Sequence, residues 1–313
     1  MQLIFLGTGA GAPSRNRNVS SLALRLNQSS ETWLFDCGEG TQQQILKTHV
    51  TLHNISRIFI THLHGDHIFG LPGLLCSRSL QSASTKPLTI YGPRGLRSYL
   101  STSMTVSQTT LSYPLDIREM IPLQQGTVFS IFEDDRLEVL SGALLHHIES
   151  FGFAIAEKPK VGRFRIDLAK AQGVPEGPIY GQLKRGQDVV LEDGRRLIAK
   201  NFVEPDDLGD KVVILGDTRP CPASVTLAQD ATILIHEATF SSRDQALANV
   251  SAHSTAHEAA LIAKEAHVKK LLMTHISARY QTSGQDTQDD LLAEARTIFP
   301  ETDLVNDFYE IDV

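Results

Sequence analysis

The feature that most constrains this chain is the histidine-rich segment at residues 61–67, Thr-His-Leu-His-Gly-Asp-His, which places three imidazoles and one carboxylate within seven residues. It follows residues 57–60, an apolar run that predicts a buried strand. His62 and His64 are two residues apart, so an extended backbone would direct both to one face. Gly65 is expected to allow a sharp turn that brings the next aspartate and histidine back toward them. Imidazole and carboxylate together suit zinc, manganese or iron(II), so the segment predicts a metal site; the alternative is a surface cluster of histidines.

The composition permits an enzyme and excludes several other classes. With 313 residues, 41% hydrophobic and 21% charged, the chain is long enough for one large globular domain or two ordinary ones. It contains no apolar run of about eighteen residues, so no membrane span is expected, and residues 1–6 are typical of a first strand rather than a signal peptide. Three scattered cysteines without zinc-ribbon spacing fit a reducing cytoplasm, so the metal ligands are expected to be histidine and aspartate.

The net charge of −7 argues at first against a nucleic-acid partner. The charge is unevenly distributed, however, because residues 158–200 contain ten Lys or Arg against five Asp or Glu. That segment therefore carries +5 and the rest of the chain −12, since the two must sum to −7. A basic arm on an acidic body can bind a polyanion, and the alternative is an ordinary solvated face.

Strands and helices alternate along the chain, which favours a layered α/β architecture. We predict strands over residues 3–6, 21–26, 32–35, 57–60, 88–91, 137–140, 153–155, 211–215 and 232–235, and helices over residues 41–47, 93–103, 255–265 and 288–298. A glycine-rich turn follows the first strand at residues 7–11. It is interpreted as a tight connection rather than a dinucleotide site, because no clear helix follows it.

Further ligand candidates stand where later strands end. They are the adjacent His146 and His147, Asp217 after the apolar residues 211–215, and His275 after a short apolar run. Singly, each is equally explained as a turn residue or a satisfied polar group. Together with the first cluster they supply six or seven ligands, enough for two metal ions that share a bridging carboxylate. Two ions about 3.5–4 Å apart are the usual arrangement for attack on a phosphodiester.

This pattern of ligands resembles the metallo-β-lactamase fold, and five further motifs are similar to those of ribonuclease Z, the endonuclease family that matures transfer-RNA 3′ ends. These motifs are Phe5-Leu6-Gly7-Thr8-Gly9, Phe35-Asp36-Cys37-Gly38-Glu39-Gly40-Thr41-Gln42, Gly216-Asp217-Thr218-Arg219-Pro220, His236-Glu237-Ala238-Thr239-Phe240 and His253-Ser254-Thr255-Ala256. The resemblance spans essentially the whole chain. The ligands alone would suit hydrolases of thioesters, lactams or phosphoesters, and the His-Glu-Ala-Thr and His-Ser-Thr motifs point to ribonuclease Z.

The resemblance implies one α/β domain over residues 1–313, an αββα sandwich with the metals at one edge, and an inserted basic Gly/Pro-rich arm at residues 156–200 that protrudes and binds transfer RNA. It also implies two Zn²⁺ per subunit, with Mn²⁺ or Fe²⁺ as alternatives in the working enzyme. One ion is assigned to His62, His64 and His146, the other to Asp66, His67 and His275, with Asp217 bridging. His146 is preferred to His147 because the family's ligand stands two residues before an isoleucine, here Ile148; Glu149 replaces the family's usual proline.

The resemblance also suggests the catalytic groups. Asp66 is expected both to ligate metal and to accept a proton from the attacking water. His253 is expected to protonate the leaving 3′ oxygen or to stabilise its charge, with Glu237 orienting the ring. The alternative for His253 is that it belongs only to the helix N-cap region at Ser254 and Thr255. His49, His53, His257 and His267 are predicted to be surface or structural residues.

RNA contacts are assigned to a loop and to the arm. The sequence from Pro13 to Asn18 resembles the family's Pro-x-Lys-x-Arg-Asn loop with Arg15 in place of lysine, and Arg15 and Arg17 are predicted to bind phosphate. In the arm, a Gly/Pro-rich stretch that ends in Lys184 and Arg185 is expected to form a two-stranded protrusion rather than a helix. Arg279 is also assigned to RNA binding.

The expected protein is therefore a cytoplasmic, zinc-dependent endoribonuclease that cuts precursor transfer RNA 3′ of the discriminator base. The products would be a 3′-hydroxyl on the transfer RNA and a 5′-phosphate on the trailer. The family resemblance implies a homodimer, and neither a membrane nor DNA is an expected partner. The alternatives are a general metallo-phosphodiesterase of the same fold and, from another class, a non-catalytic RNA-binding module stabilised by metal.

Overall fold

The computed structural model describes residues 1–27, 29–81, 86–122, 124, 126–160, 162–206, 208–280 and 286–313. These residues form two compact units. The larger comprises Met1–Glu133, Glu138–Ile155 and Lys211–Val313, and the smaller comprises Asp134–Leu137 and Ala156–Asp210. Among the described residues, no helix combines the length and the apolar character that crossing a bilayer requires.

Strands and helices alternate along the described chain, and the elements that lie wholly within residues 156–210 belong to the smaller unit. The strands are β1 (Gln2–Gly7), β2 (Ser21–Arg25), β3 (Thr32–Phe35), β4 (Ile55–Phe59), β5 (Leu88–Pro93), β6 (Leu115–Met120), β7 (Val128–Glu133), β8 (Leu137–Ala143), β9 (Phe151–Glu157), β10 (Val189–Val190), β11 (Arg196–Leu197), β12 (Lys211–Leu215), β13 (Ile233–Glu237), β14 (Lys270–Thr274), β15 (Thr302–Leu304) and β16 (Glu310–Asp312). The helices are α1 (Thr41–Ile45), α2 (Gly65–Ile68), α3 (Leu71–Gln81), α4 (Leu96–Val106), α5 (Ile166–Ala171), α6 (Pro178–Lys184), α7 (Pro222–Ala228), α8 (Gln245–Ser251), α9 (Ala256–Glu265) and α10 (Gln288–Arg296).

Two mixed sheets form the centre of the larger unit. The first has the strand order β16-β1-β2-β3-β4-β5-β6, and the second has the order β15-β14-β13-β12-β9-β8-β7. Their facing sides carry aromatic residues, which pack across the interface: the ring centroids of Phe59 and Phe153 are 5.3 Å apart, and those of Trp33 and Phe132 are 5.7 Å apart. The sheets are thus held face to face by burial of large apolar side chains.

Helices cover the outer side of each sheet because strand residues alternate between the two faces. In β1, Ile4 and Leu6 join an apolar cluster with residues of α3 and α4. In the second sheet, Val213 and Leu234 join a separate cluster with α7, α9 and α10. The larger unit is therefore an αββα sandwich, as predicted.

The topology gathers the ends of several strands at one edge. Strands β3 to β6 run parallel to one another, and so do β12 to β15. The carboxyl ends of parallel strands lie at the same edge of a sheet, which is where such sheets place ligands. Asp36 follows β3, His62 follows β4, Asp217 follows β12, and His275 follows β14. Residues far apart in sequence therefore meet at this edge.

The smaller unit has its own apolar core and a short antiparallel hairpin of β10 and β11. Leu183, Leu197 and Phe202 are among the buried residues of that core. The expectation of a two-stranded protrusion without helix was wrong for residues 178–184, which form α6. Proline at the first position of a helix is compatible with helical geometry, and Leu183 on the inner side of α6 is fully buried. Glycine and proline here mark the start of a helix, not a turn.

Candidate metal centre

Four side chains form a first donor group. The donor atoms of His62, His64, His146 and Asp217 all lie within 4.8 Å of one another. Nδ1 of His64 is 3.1 Å from Nε2 of His62 and 3.2 Å from Nε2 of His146. Oδ2 of Asp217 is 3.5 Å from Nε2 of His62. The extended backbone after β4 supplies two of these donors, and the loops after β8 and β12 supply the others.

A second donor group shares the same aspartate oxygen. Asp66, His67 and His275 converge, with Oδ2 of Asp66 3.5 Å from Nε2 of His67 and 3.3 Å from Nε2 of His275. Oδ2 of Asp217 lies 3.5 Å from both of these histidine nitrogens. One oxygen therefore belongs to both groups, which is the position of a bridging ligand.

The spacing of these donors fits a divalent metal. A tetrahedral ion with ligand bonds of roughly 2.0–2.1 Å separates its donors by about 3.3 Å. Several separations within the two groups are 3.1–3.5 Å, and all donor atoms of each group lie within 4.8 Å of one another. In addition, Nε2 of His67 is buried and makes no well-formed hydrogen bond with any described residue. A buried polar atom without a partner is costly, and a metal ion would satisfy it.

The ring nitrogens that face away from the centre are held by neighbouring groups. These contacts are His62 Nδ1 to Thr61 Oγ1 at 3.0 Å, His67 Nδ1 to Asp36 Oδ2 at 2.7 Å, His146 Nδ1 to the Ala252 carbonyl at 2.8 Å and His275 Nδ1 to Thr239 Oγ1 at 2.9 Å. Such contacts fix the ring orientation and leave Nε2 for the metal. Asp36 also accepts hydrogen bonds from the Thr61 amide and hydroxyl, which orders the start of the ligand segment.

The charges of the cluster keep its carboxylates ionised. Burial alone would raise the pKa of Asp66, but hydrogen bonds with His275 and His67 hold it well below its usual range. Burial would lower the pKa of His67, but the negative charges of Asp217 and Asp36 raise it well above its usual value. The negative charges of Asp217 and Asp36, which favour a proton on His67, also favour a metal cation at the same place.

A second pair of titratable residues stands beside the donor groups. Nδ1 of His253 lies 2.9 Å from Oε1 of Glu237, the buried last residue of β13. Glu237 also accepts hydrogen bonds from the backbone amides of Ser254 and Thr239. Burial alone would lower the pKa of His253, but the Glu237 carboxylate outweighs it and raises the pKa to about 9. The ring of His253 stacks on that of His275, with centroids 5.4 Å apart.

The helix predicted after His253 begins where expected. Thr255 is the N-cap of α9, and its hydroxyl accepts a hydrogen bond from the Glu258 amide while the Glu258 carboxylate accepts one from the Thr255 amide. This reciprocal capping box fixes the entry of the chain into the helix. It thereby fixes the backbone two residues after His253.

The two adjacent histidines have different environments. His146 joins the first donor group, whereas Nε2 of His147 lies 2.9 Å from the Val250 carbonyl. Glu149, which stands where the family usually has proline, forms an ion pair with Arg94. The structure thus brings together His146 and not His147 with the other donors.

The sharp turn expected at Gly65 is the passage from extended backbone at His64 into a short helix. Gly65 begins this helix, α2, which carries Asp66 and His67. A Cβ atom on Gly65 would lie 2.2 Å from the ring of Phe69. Phe69 is itself 64% exposed, so its ring would have to move outward to admit a side chain at residue 65.

The RNA-contact assignment of Arg17 was wrong. Its side chain is 1% exposed, and its guanidinium donates hydrogen bonds to Thr8, the Val305 carbonyl, Gln288 and Asn306. A guanidinium buried in this way is not accessible to an RNA phosphate.

The other cations assigned to RNA are accessible. Arg15, Lys184, Arg185 and Arg279 are exposed, the second and third on the smaller unit. Arg279 forms an ion pair with Asp244 at 3.3 Å and lies over the ring of Phe240. Arg15 and Arg17 thus have opposite environments although they are two residues apart.

Several supporting residues had no predicted role. Asp36, Thr61 and Thr239 each contact a ring nitrogen of a donor histidine, and the Gly11 amide donates to Oδ2 of Asp66 at 2.9 Å. Asp36 lies in one of the motifs that resemble the family, so the sequence indicated that the residue matters. The sequence did not indicate that its partner is His67. The glycine-rich turn is accordingly a support for Asp66.

The αββα fold and its histidine–aspartate donor groups define a metal-dependent hydrolase of the metallo-β-lactamase fold. In agreement, a metallo-β-lactamase fold protein from Bacillus subtilis superposes with a TM-score of 0.66 at 17% identity, covering 99% of this chain and 98% of the other. A family model described as anti-Pycsar protein Apyc1 matches residues 1–162.

Full-length relatives identify the family. Ribonuclease Z from Brevibacillus brevis is 49% identical over 100% of this chain and 97% of its own length. Ribonuclease Z from Geobacillus kaustophilus is 48% identical over 100% and 99%. The crystal structure of the short form of human tRNase Z superposes with a TM-score of 0.74 at 34% identity, covering 100% of this chain and 99% of that one. The chain belongs to the ribonuclease Z family, which confirms the family predicted from its motifs.

Proposed function

We propose that this chain is a metal-dependent endoribonuclease that removes the 3′ trailer from precursor transfer RNA in the cytoplasm. The cut would fall 3′ of the discriminator base, leaving a 3′-hydroxyl on the transfer RNA and a 5′-phosphate on the trailer. The observation that carries the proposal is the convergence of two donor groups on Oδ2 of Asp217 beside the His253–Glu237 pair. The relatives from Brevibacillus and Geobacillus are named ribonuclease Z, which supports the same substrate.

The proposed cofactor is two Zn²⁺ per subunit, with Mn²⁺ and Fe²⁺ compatible with the same donors. His62, His64 and His146 would hold one ion, Asp66, His67 and His275 the other, and Asp217 would contact both. When bound, the pair would polarise the phosphodiester and lower the pKa of a coordinated water.

Asp66 is the proposed acceptor for the proton of the attacking water. It stands in the second donor group, and the Gly11 amide and two histidines contact its Oδ2. Because its pKa lies well below the usual range, the proton would pass through Asp66 rather than remain there.

His253 is the proposed donor to the leaving 3′ oxygen. A pKa of about 9 keeps the imidazole protonated at neutral pH, and Glu237 fixes its orientation through Nδ1. Nε2 is then the nitrogen that would donate. Nearby cations would lower this pKa, and the buried Glu237 carboxylate opposes that effect.

The smaller unit is the proposed RNA-binding arm of a single catalytic domain. It contains the basic segment at residues 158–200, with Lys184 and Arg185 exposed at the end of α6. Cations of this kind recognise the phosphate backbone rather than bases. Arg15 and Arg279 are proposed as further phosphate contacts. We further infer a homodimer in which the arm of one subunit presents RNA to the site of the other.

The test is to incubate the purified protein with a precursor transfer RNA carrying a 3′ trailer and to map the ends. A single cut after the discriminator base, lost in Asp66→Ala, is the expected result. Hydrolysis of a small phosphodiester with the RNA left intact would instead favour a general phosphodiesterase of the same fold. RNA binding without cleavage of either substrate would favour a non-catalytic module.

A further inference from the structure

One surface loop contacts a proposed metal ligand, Asp66, and the residue that follows another, His275. This loop, residues 8–18 and hereafter the clamp loop, donates from the Gly11 amide to Oδ2 of Asp66 at 2.9 Å. It also pairs with Ile276: the Ile276 amide donates to the Thr8 carbonyl at 2.9 Å, and the Ala10 amide donates to the Ile276 carbonyl at 3.2 Å. The clamp loop therefore holds both Asp66 and the backbone directly after His275.

The backbone of His275 needs such support. Its φ is 56°, in the left-handed region that residues other than glycine rarely adopt. Conformations of this kind persist where surrounding contacts over-determine them. Here the Thr239 hydroxyl lies 3.0 Å from the His275 carbonyl. The clamp loop fixes the next residue, Ile276, through hydrogen bonds to both its amide and its carbonyl. Loss of these contacts would let His275 relax and move Nε2 away from the donor group.

The clamp loop is anchored at its two ends by one half-buried carboxylate, that of Asp307. Oδ1 of Asp307 accepts a hydrogen bond from the Thr8 hydroxyl at 2.7 Å. Oδ2 accepts one from the Asn18 amide at 2.7 Å and one from the Gln44 side chain at 2.8 Å. Arg17 reinforces the same anchor, since it donates to the Thr8 hydroxyl and to the Val305 carbonyl, both at 2.6 Å.

The first donor group has other supports. His62 contacts Thr61, and His146 contacts the Ala252 carbonyl. Among the described residues, no hydrogen bond joins the clamp loop to His62, His64 or His146. The clamp loop therefore makes hydrogen bonds to the second donor group and not to the first, although Asp36 contacts both His67 and Thr61.

We propose that Asp307 is a positioning residue for the second donor group, acting through the clamp loop on Asp66 and His275. This inference rests on the proposed two-metal function. Loss of Asp307 lowers the affinity of the second ion and leaves the affinity of the first unchanged. Its consequence for catalysis follows from that lost ion, because Asp307 itself is remote from substrate.

The test uses Asp307→Asn, which keeps the shape of the side chain and replaces one carboxylate oxygen, a hydrogen-bond acceptor, by an NH₂ group. The amide NH₂ must then face either the Asn18 and Gln44 donors or the Thr8 hydroxyl. Zinc bound per chain is measured by mass spectrometry across a series of zinc buffers, for wild type and variant. We expect wild type to fill in two steps and the variant to show a second step weakened by roughly 10–100-fold, the usual effect of losing an outer support.

A matched control separates this effect from general destabilisation. Ser141→Ala removes a different buried hydrogen bond, to the Gly152 carbonyl at 3.1 Å, away from the clamp loop. It is expected to lower the melting temperature without changing either zinc step. Thr8→Val, a substitution of equal shape that removes the hydroxyl between Asp307 and Arg17, is expected to reproduce the selective loss if Asp307→Asn does not fold.

Two results would overturn the proposal: zinc steps that are unchanged in both variants, or steps that weaken equally. A wild type that binds one ion per chain would contradict it as well. Failure of the proposed function gives a different result. A wild type that binds zinc in two steps but leaves precursor transfer RNA uncut would contradict only the substrate assignment.

Discussion

Glu237 and His253 form a buried pair, with Oε1 of Glu237 2.9 Å from Nδ1 of His253, although one ends β13 and the other lies between α8 and α9. The pair places the negative charge of Glu237, at the end of a strand, next to the His253 ring at the candidate site. Only 14% of the His253 side chain is exposed, so the carboxylate acts with little screening by water.

Glu237→Gln is expected to lower kcat for precursor transfer RNA by about 100-fold or more, the range in which an acid–base group contributes. Without the carboxylate, burial dominates and the pKa of His253 falls, so its protonated form is lost at neutral pH. The loss should be greater at pH 8 than at pH 6, and KM should change little. Glu258→Gln, the same change in the nearby capping box, is the control. Equal losses in both variants would contradict the role of Glu237.

His146→Ala and His147→Ala form a matched pair of adjacent substitutions. The first removes a donor, so activity and one bound metal should both be lost, with a larger effect than the 10–100-fold typical of an outer support. The second removes the contact to the Val250 carbonyl and a ring contact with His146 but no donor of the group, and should stay within a few-fold of wild type. Metal content and cleavage rate are measured for each. A greater loss of metal and activity in His147→Ala than in His146→Ala would make His147 the ligand instead of His146.

Arg15→Met and Arg17→Met test two arginines of one loop. Arg17→Met removes the donor to the buried Val305 carbonyl and the contacts to the Gln288 and Asn306 side chains, so it should lower the free energy of unfolding by about 3 kcal/mol. Arg15→Met should leave stability unchanged and reduce the salt dependence of RNA binding by about one unit of slope. Thermal unfolding and RNA binding at several salt concentrations distinguish them. A stable Arg17→Met protein with weakened RNA binding would restore the original assignment.

Lys184→Gln with Arg185→Gln tests the smaller unit as the RNA-binding arm. Removal of two exposed cations should raise KM for precursor transfer RNA and reduce the salt slope by about two units. Hydrolysis of a small phosphodiester should remain at the wild-type rate, because that substrate does not need the arm. A parallel loss with both substrates would show that the substitutions damage the catalytic unit instead.

The buried His236 is expected to lower the stability of the folded protein in acid. Burial lowers its pKa, and Nε2 has no hydrogen-bond partner in the described part of the chain. Below the unfolded value near 6.5, the unfolded chain binds a proton that the folded protein does not, so stability falls as the pH drops, by up to about 1.4 kcal/mol per pH unit.

His236→Asn should therefore lose less stability than wild type between pH 7 and pH 5. Its amide can replace Nδ1 as the donor to the Glu237 carbonyl, a contact of 2.7 Å in the wild type. His257→Asn, at an exposed position of α9, should keep the wild-type pH dependence. Denaturant unfolding at each pH measures the difference; identical slopes for His236→Asn and wild type would exclude this residue as the source.

The sequence allowed the sheets and the donor residues to be predicted because both have local signals. Strands β3 and β12 begin and end at the predicted residues, since each is a short apolar run next to polar residues. Helix α3 was not predicted. It begins Leu-Pro-Gly, a combination typical of turns, although the structure places these three residues in the first turn of the helix.

The supports of the site could not be predicted, because they depend on contacts between distant segments. Asp36 contacts His67 across 31 residues of sequence, and Asp307 contacts Thr8 across 299. The left-handed backbone at Asp36 and His275 has no local sequence signal either, since neither residue is glycine. The buried state of Arg17 follows from partners at residues 288–306, which only the folded chain brings near it.

The shared oxygen of Asp217 has a consequence for how the protein matures. Its neighbours come from residues 62–67, 146 and 275, so only the first of these segments offers several donors before folding. An emerging polypeptide therefore presents a weak chelator, and the full cage exists only once both sheets have assembled. We therefore expect metal capture to come late in biogenesis, so that the finished protein, rather than its nascent chain, would select the ion.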